Sequence, residues 1–385
     1  MTSLCWPPMS GRTDSQATDD RKVFGYEPAL DGIRALAVLL VMAGHLNLVY
    51  AGGLGVDIFF VLSGYLITAI LVAEFTANGR ISLKKFYARR ALRILPAVIL
   101  LLLVLNVLVA MTQPRDDAET FRWDSLGALF YIANWLRAFG RDLGILGHLW
   151  SLSIEEQFYL LWPMTLAFLL SRNLKANKIL ILIGLAILLV NADRIYLYHS
   201  IESFNRIYNG LDTRADALLI GCALGLSGYR ILSPRVFALI GLIGAAFVVY
   251  VLFRAYPAPA NLQTPFGLTV GGTLFALGVA FALAAILSNP QSVFAKLLRL
   301  PPLVWTGRLS YGLYLWHFPV FTFVAAWLPA LQPARLIALK LFGTFFFATL
   351  SYYLVERPCL NLKGKFSVIK TRVPTSPSPV ASVGY

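Results

Sequence analysis

Two neighbouring segments decide the fold: Leu30–Tyr50, which reads LDGIRALAVLLVMAGHLNLVY, and Val56–Phe75, which reads VDIFFVLSGYLITAILVAEF. Both are predominantly apolar. Each has the ~20 residues that a helix rising 1.5 Å per residue needs to cross ~30 Å of hydrocarbon. The two segments are therefore predicted to be transmembrane helices.

Similar runs recur along the chain, and the composition agrees with them. Of 385 residues, 58% are hydrophobic and only 14% are charged, with a mean hydropathy of +0.69, whereas a soluble chain has about 25% charged residues. We predict an all-α integral membrane protein, a polytopic bundle of about ten transmembrane helices. The further predicted spans are Ile94–Met111, Leu152–Leu170, Ile179–Asn191, Ala215–Gly228, Val236–Phe253, Phe266–Leu287, Leu303–Leu328 and Leu336–Val355.

One shorter run, Leu126–Phe139, contains Asn134 and is predicted to be re-entrant or interfacial. If it does not cross, the basic clusters near Arg90, Arg172, Arg230 and Arg299 all face the cytoplasm, and the outer segments mix basic with acidic residues. Because Lys and Arg accumulate on the cytoplasmic side, this arrangement favours ten spans with both termini inside. Eleven spans is the alternative.

The remaining features define the domain organisation and exclude several classes of protein. We expect a cytoplasmic tail at 1–27, a membrane domain at 28–358 and a disordered cytoplasmic tail, rich in Pro and Ser, at 359–385. The first 25 residues lack the apolar region of a signal peptide. The net charge of +14 is attributed to topology and contacts with membrane lipid headgroups, and no nucleic-acid partner is predicted. Cys5, Cys222 and Cys359 suggest neither a disulfide framework nor a metal site.

Ionisable residues inside membrane spans are costly, so each is a candidate functional residue. Arg34 and His45 are eleven residues apart in the first span, about three turns, and so share one helix face ~16 Å apart. Asp31 lies one turn before Arg34 and can form an ion pair with it. A histidine can take and return a proton near neutral pH, and His45 is therefore the leading candidate for the catalytic base.

Arg90 and Arg93 lie one turn apart in the stretch KKFYARRALRILPA, at the cytoplasmic entry of the third span. Such a cluster can simply direct topology. Paired guanidinium groups also suit the phosphate oxygens of a ligand, and phosphate binding is the favoured interpretation.

Adjacent carboxylates, Glu155 and Glu156, begin the apolar run in GHLWSLSIEEQFYLLWP, with His148 just before them. Because neighbours on a helix diverge by about 100°, only one of the two is expected to face the site. The weaker candidates are Asp57, Arg214, Asp216 and His317. Asp57 could instead cap a helix, and a histidine such as His317 is more often a packed, hydrogen-bonded residue than a catalyst.

Seven motifs in order resemble acyltransferase family 3, the bacterial membrane O-acyltransferases. They are LDGIRALAVLLVMAGH, GGLGVDIFFVLSGYLI, FYARRALRILPA, HLWSLSIEEQFYLLWP, DTRADALLIG, SYGLYLWHFP and YYLVERP, between about Pro28 and Pro358. No G-x-S-x-G elbow, Walker A loop or H-E-x-x-H motif is present in the sequence.

The resemblance implies a ten-helix domain of the bacterial inner membrane that takes acyl-CoA, usually acetyl-CoA, as co-substrate from the cytoplasm. No tightly bound cofactor is implied. The acceptor would be a surface polysaccharide, a lipid-linked glycan, peptidoglycan or a secreted small molecule. The family's essential His falls on His45, its first-helix Arg on Arg34, its R-x-x-R pair on Arg90 and Arg93, and its acidic pair on Glu155 and Glu156. The chain resembles the form without a C-terminal soluble domain.

A mechanism follows from these placements together with the predicted topology. CoA phosphates would bind Arg90 and Arg93, and His45 would act as general base on an acceptor hydroxyl. Glu155 or Glu156 would orient the imidazole. Direct transfer and a covalent acyl-histidine both remain open. The alternative functions are acylation of a secreted small molecule such as a macrolide, and non-enzymatic glycan transport or flipping.

Overall fold

The computed structural model describes residues 26–201, 203–227, 234–255 and 266–362, so the predicted tails lie mostly outside the described residues. The described part is helical, and we number its α-helices in chain order. They are α1 Pro28–His45, α2 Leu54–Asn78, α3 Leu83–Thr112, α4 Arg115–Leu129, α5 Ala133–Ala138, α6 Trp150–Ser171, α7 Ala176–Ser200, α8 Phe204–Asn209, α9 Leu211–Leu226, α10 Pro234–Ala255, α11 Gly272–Ser288, α12 Val293–Leu298, α13 Pro301–Trp327, α14 Pro333–Ser351 and α15 Arg357–Asn361. A 3-10 turn, Gly144–Leu149, precedes α6, and π-helical turns at Gly267–Gly271 and Tyr352–Glu356 precede α11 and follow α14.

The chain is a multi-pass membrane protein. Within the described residues, seven helical stretches are long and apolar enough to cross a bilayer: Pro28–His45, Leu54–Asn78, Leu83–Thr112, Ala176–Ser200, Gly267–Ser288, Pro301–Trp327 and Pro333–Asn361. The other three predicted spans coincide with α6, α9 and α10, which are helical but are not among these seven. The all-α prediction is confirmed, whereas the count of ten spans stays a prediction.

The short run Leu126–Phe139 does not form one helix. α4 ends at Leu129 and α5 begins at Ala133, and Tyr131 between them has a positive φ of 56°. The six residues of α5 rise only ~9 Å, so no continuous helix crosses here. The re-entrant or interfacial placement of this segment stays a prediction.

Glycines bring α2 and α9 into backbone contact. A Cβ added to Gly64 would lie 2.0 Å from the carbonyl oxygen of Leu218, and one added to Gly221 would lie 2.2 Å from that of Val61. Small residues permit such close approach between membrane helices, where packing rather than the hydrophobic effect drives association. The α2–α9 pair is therefore held at a separation that larger side chains would prevent.

Two buried ion pairs tie α9 to its neighbours. Arg214 of α9 donates to Asp57 of α2 at 2.7 Å, and Asp216 of α9 pairs with Arg194 of α7 at 2.7 Å. Arg194 also donates to the carbonyl oxygen of Thr269 at 2.6 Å. Each charge is thus compensated by an opposite charge within the bundle, as buried ions require.

Candidate active site

A cavity of about 330 Å³ lies among α1, α2, α3, α6 and α13, and we call it the basic chamber. Its volume is at the lower end of the range of small-molecule sites. Its polar lining residues are Arg34, Ser63, Arg89, Arg90, Arg93, Ser151, Glu155, Glu156, Tyr159, Ser310, Tyr311 and Tyr314. Five of the six main candidates from the sequence, all except His45, therefore meet in one chamber.

The arginines of the basic chamber differ in their partners. Arg34 forms the predicted ion pair with Asp31 at 2.7 Å, and Arg89 pairs with Glu74 at 3.4 Å. Arg90 stacks on the ring of Tyr159 with its guanidinium carbon 3.9 Å from the centroid. No carboxylate in the described part of the chain forms an ion pair with Arg90 or Arg93. Arg90 and Arg93 share the chamber with Glu155 and Glu156 but form no direct ion pair with either, so their N–H groups can bind an anionic ligand.

The two adjacent carboxylates both line the basic chamber, so the prediction that only one of them could face the site is wrong. The chamber is wide enough to span the angle between neighbouring positions on α6. Glu155 accepts hydrogen bonds from the hydroxyl groups of Ser63 and Tyr159, the latter at 2.9 Å. One carboxylate oxygen of Glu156 is buried with no hydrogen-bond partner among the described residues.

His45 lies at the last residue of α1, exposed on one side and packed on the other against two more histidines. Its Nδ1 is 3.2 Å from Nε2 of His317 and 3.1 Å from the carbonyl oxygen of Val41. The ring of His148 lies 5.4 Å from that of His317. We call His45, His148 and His317 the histidine cluster.

The hydrogen bonds of the cluster determine which nitrogen of His45 carries the lone pair. Nδ1 of His317 lies 2.6 Å from the carbonyl oxygen of Tyr314, and because a carbonyl only accepts, this nitrogen carries the hydrogen. Nε2 of a neutral His317 must then accept, and Nδ1 of His45 donates to it. The lone pair of a neutral His45 is therefore on Nε2, where a general base needs it.

The predicted contact between Glu155 or Glu156 and the imidazole of His45 is absent. The ring partners of His45 are Val41 and His317, and both glutamates face the basic chamber instead. α6 directs them to the chamber, whereas α13 brings His317 beside the end of α1. His317 thus has the orienting position that was predicted for a glutamate.

Tyr314 separates the basic chamber from the histidine cluster. Its side chain lines the chamber, its ring lies 5.4 Å from that of His317 and 5.7 Å from that of His148, and its hydroxyl donates to the carbonyl oxygen of His148 at 2.7 Å. The same hydroxyl is 2.6 Å from Oγ of Ser151. A ligand in the chamber is therefore one side chain away from the cluster.

The weaker candidates fall into two groups. His148 and His317 belong to the histidine cluster, with Nε2 of His148 donating to the carbonyl oxygen of Leu315 at 3.1 Å. Asp57, Arg214 and Asp216 belong to the buried ion pairs around α9 and do not line the basic chamber. The helix-capping interpretation of Asp57 is wrong, because its carboxylate pairs with Arg214 and the first turn of α2 has no side-chain cap.

Sequence reasoning missed Tyr314 and Glu356. Glu356 is buried in the π-helical turn after α14 and accepts a hydrogen bond from Ser351 at 3.1 Å. Glu356 could have been identified from the sequence, because it is a carboxylate within the apolar stretch that ends in YYLVERP. Tyr314 carried no such signal, because one tyrosine among many in an apolar helix is ordinary.

Within the described ranges, no group of His, Cys, Asp or Glu is arranged to hold a metal ion.

These features define a helical membrane domain with a basic chamber beside a cluster of three histidines, and comparison with known families agrees. The profile of the acyltransferase domain family matches residues 27–355. The chain therefore belongs to this acyltransferase family.

Curated relatives cover the same region. The chain is 38% identical over 351 residues to the peptidoglycan O-acetyltransferase OatA of Listeria monocytogenes, a match over 86% of this chain and 56% of the relative. It is 38% identical over 351 residues to the putative peptidoglycan O-acetyltransferase YrhL of Bacillus subtilis, over 86% and 55%. It is 34% identical over 349 residues to the O-acetyltransferase OatA of Staphylococcus aureus, over 86% and 57%. The matched region is thus little more than half the length of these relatives, and no solved structure matches the chain.

Proposed function

We propose that this chain is a membrane O-acetyltransferase of the bacterial inner membrane, with both termini in the cytoplasm. It moves an acetyl group from cytoplasmic acetyl-CoA to a hydroxyl group of a carbohydrate acceptor. Family membership supports acyl transfer. The names of two relatives as peptidoglycan O-acetyltransferases support an acceptor of the peptidoglycan type.

The observation that carries the proposal is the position of the basic chamber relative to His45. Arg90 and Arg93 stand at the end of the chamber that the charge pattern assigns to the cytoplasm, without ion-pair partners among the described carboxylates. They bind the phosphates of CoA through charged hydrogen bonds. The pantetheine arm then lies in the chamber and brings the thioester to Tyr314.

His45 performs the proton transfer. Nε2 of His45 removes the proton from the acceptor hydroxyl as the oxygen attacks the thioester carbonyl. The new C–O bond forms, the C–S bond breaks, and the imidazolium returns the proton to the departing CoA thiolate. His317 holds the Nδ1 hydrogen of His45 throughout and so keeps the lone pair on Nε2. Because His45 is exposed, an acceptor reaches it without entering the chamber.

The thioester must pass Tyr314 to reach His45. Rotation of this side chain breaks its hydrogen bonds to His148 and Ser151 and joins the basic chamber to the histidine cluster. Tyr314 is therefore the barrier that keeps water on the acceptor side from the thioester until the acceptor is bound.

The test separates donor binding from transfer in protein reconstituted in nanodiscs. General-base catalysis contributes roughly 10²–10⁴-fold, so His45→Gln should lower acetyl transfer to peptidoglycan fragments by about that factor and leave acetyl-CoA binding unchanged. Arg90→Gln should weaken acetyl-CoA binding by about 10- to 150-fold, the loss of one charged hydrogen bond worth ~1.5–3 kcal/mol.

The control is Arg80→Gln, an exposed arginine between α2 and α3 that does not line the chamber. It should affect neither measurement. Full transfer by His45→Gln would eliminate His45 as the base. If wild-type protein moves glycan across the membrane without acetylating it, the chain is a transporter and the proposal fails.

A further inference from the structure

α5, the short helix of the broken segment, is locked in place by polar contacts. Asn134 is fully buried and donates to the carbonyl oxygen of Asn209 at 3.2 Å. Gln157 of α6 donates to the carbonyl oxygen of Tyr131 at 2.6 Å and to Oδ1 of Asn134 at 2.8 Å, and it accepts from the indole of Trp135 at 3.2 Å. These hydrogen bonds with α6 and α8 fix the position of the segment.

That segment carries Arg137, which is half-buried. Its Nε donates to Oδ1 of Asn209 at 3.2 Å, and its Nη1 packs so closely on the backbone of Gly147 that a Cβ there would lie 2.5 Å away. The side chain of Asn209 is itself oriented by a 2.8 Å hydrogen bond to the carbonyl oxygen of Asn205. The guanidinium group of Arg137 is thus pre-positioned.

The charge of Arg137 has no carboxylate partner in the part of the chain that the structure describes. The neighbouring arginines differ: Arg141 pairs with Asp124 at 2.5 Å, and Arg206 donates to both carboxylate oxygens of Asp212. A half-buried charge without a counter-charge costs free energy. An anionic ligand would supply the missing charge.

Arg137 lies beside the histidine cluster. Gly147, which its guanidinium contacts, is followed directly by His148, and the His148 ring is 5.4 Å from that of His317, the partner of His45. Arg137 does not line the basic chamber, and the charge pattern assigns its segment to the outer side of the membrane, where the acceptor is proposed to bind.

We infer that Arg137 binds an acidic group, a carboxylate or a phosphate, on the acceptor glycan and thereby places the acceptor hydroxyl against His45. A guanidinium group binds either anion through two parallel hydrogen bonds, which fixes direction as well as distance. This inference rests on the proposed function and adds to it the chemical class of the acceptor.

The experiment compares three forms of one peptidoglycan-type tetrasaccharide in nanodisc-reconstituted protein. The first has free lactyl carboxylates, the second has the same groups converted to neutral amides, and the third is the amide with a phosphate at its reducing end. Wild-type protein should use at least one acidic form roughly tenfold or more better than the amide, by kcat/KM, the effect of one charged hydrogen bond. Preference for the first form assigns the carboxylate, and preference for the third assigns the phosphate.

Arg137→Gln should abolish that preference by raising KM for the acidic form, so that the ratio of kcat/KM between the acidic form and the amide falls to about one. Arg137→Lys, which keeps the charge but lacks the two parallel N–H donors of a guanidinium group, should retain part of the preference. The matched control is Arg141→Gln, an arginine four residues away that already has a carboxylate partner, and it should retain the full preference.

Equilibrium binding of the same three oligosaccharides without acetyl-CoA gives a second readout. If wild-type protein binds the acidic form more tightly than the amide and Arg137→Gln does not, the anion site is supported even where no acetyl transfer is seen. Failure of the anion-site inference can therefore be distinguished from failure of the proposed function. Equal loss of all three substrates in Arg137→Gln would show a structural role and overturn the inference. An unchanged preference in Arg137→Gln would overturn it as well.

Discussion

At the scale of single residues, the site depends on hydrogen bonds that assign protons. His45 is suited to act as a base only if its lone pair is on Nε2. His317 enforces this by donating to the carbonyl oxygen of Tyr314 and accepting from Nδ1 of His45. A carboxylate at the position of His317 would add a negative charge there, whereas a neutral imidazole orients the base without one.

We therefore expect His317→Leu to lower kcat by roughly 10–10²-fold, because loss of orientation in an active site has effects of this size. Acetyl-CoA binding should be unchanged, since His317 does not line the basic chamber. Single-turnover transfer and equilibrium binding measure the two effects separately.

His317→Gln is the matched variant for this prediction. Its amide oxygen can accept from Nδ1 of His45, so it should recover part of the lost rate. Equal rates for the Leu and Gln variants would show that His317 only fills space.

At the scale of helices, the α2–α9 contact holds one wall of the bundle. The Cβ of an alanine at Gly64 would lie 2.0 Å from the carbonyl oxygen of Leu218, closer than any real contact. Because that neighbour is backbone, relief requires the helices to separate. α2 also carries Ser63, the hydrogen-bond partner of Glu155 in the basic chamber.

Gly64→Ala should therefore lower the thermal stability of the detergent-purified protein, at a cost of about 1–3 kcal/mol for overpacking. The matched control is Gly184→Ala in α7, where nothing lies within 4 Å of the added Cβ. Alanine is the better helix former by ~1 kcal/mol, so this control should be neutral or slightly stabilising. The outcome that contradicts the packing argument is equal stability of the two variants, measured by the unfolding midpoint.

At the scale of the whole molecule, the arrangement of the site requires the two ends of α3 to face opposite sides of the membrane. Lys84 lies in the first turn of α3 and Asp116 just beyond its end, and both are exposed. The 30 residues of this helix rise ~45 Å, enough to cross the bilayer. Arg90 and Arg93 then lie near the end that Lys84 marks.

In a background without Cys5, Cys222 and Cys359, single cysteines at Lys84 and at Asp116 should react from opposite sides. A membrane-impermeant maleimide added to intact cells should label the cysteine at Asp116 and leave the one at Lys84 unlabelled until the membrane is opened. Labelling of both in intact cells would contradict the topology and, with it, a cytoplasmic donor site.

The sequence alone determined the elements of this protein and the residue types of its site. In a bilayer, the backbone N–H and C=O groups of a long apolar run can form all their hydrogen bonds within the run only if it is a helix. The membrane helices could therefore be predicted from the apolar runs. The cost of burying Arg34, His45, Arg90, Arg93, Glu155 and Glu156 in such helices identified them as candidates, and all but His45 meet in the basic chamber.

Only the tertiary structure decided which of these residues touch. Contacts between side chains on different helices depend on how the helices rotate and cross. Periodicity describes one helix at a time and carries no information about that. For this reason the sequence predicted a glutamate as the partner of His45, whereas the structure has His317 there. The sequence also did not predict that both glutamates line one chamber, or that Tyr314 lies between the chamber and His45. In the sequence, Arg137 is one of several charged residues of an outer segment. In the structure it lies beside His148 and has no ion-pair partner among the described carboxylates.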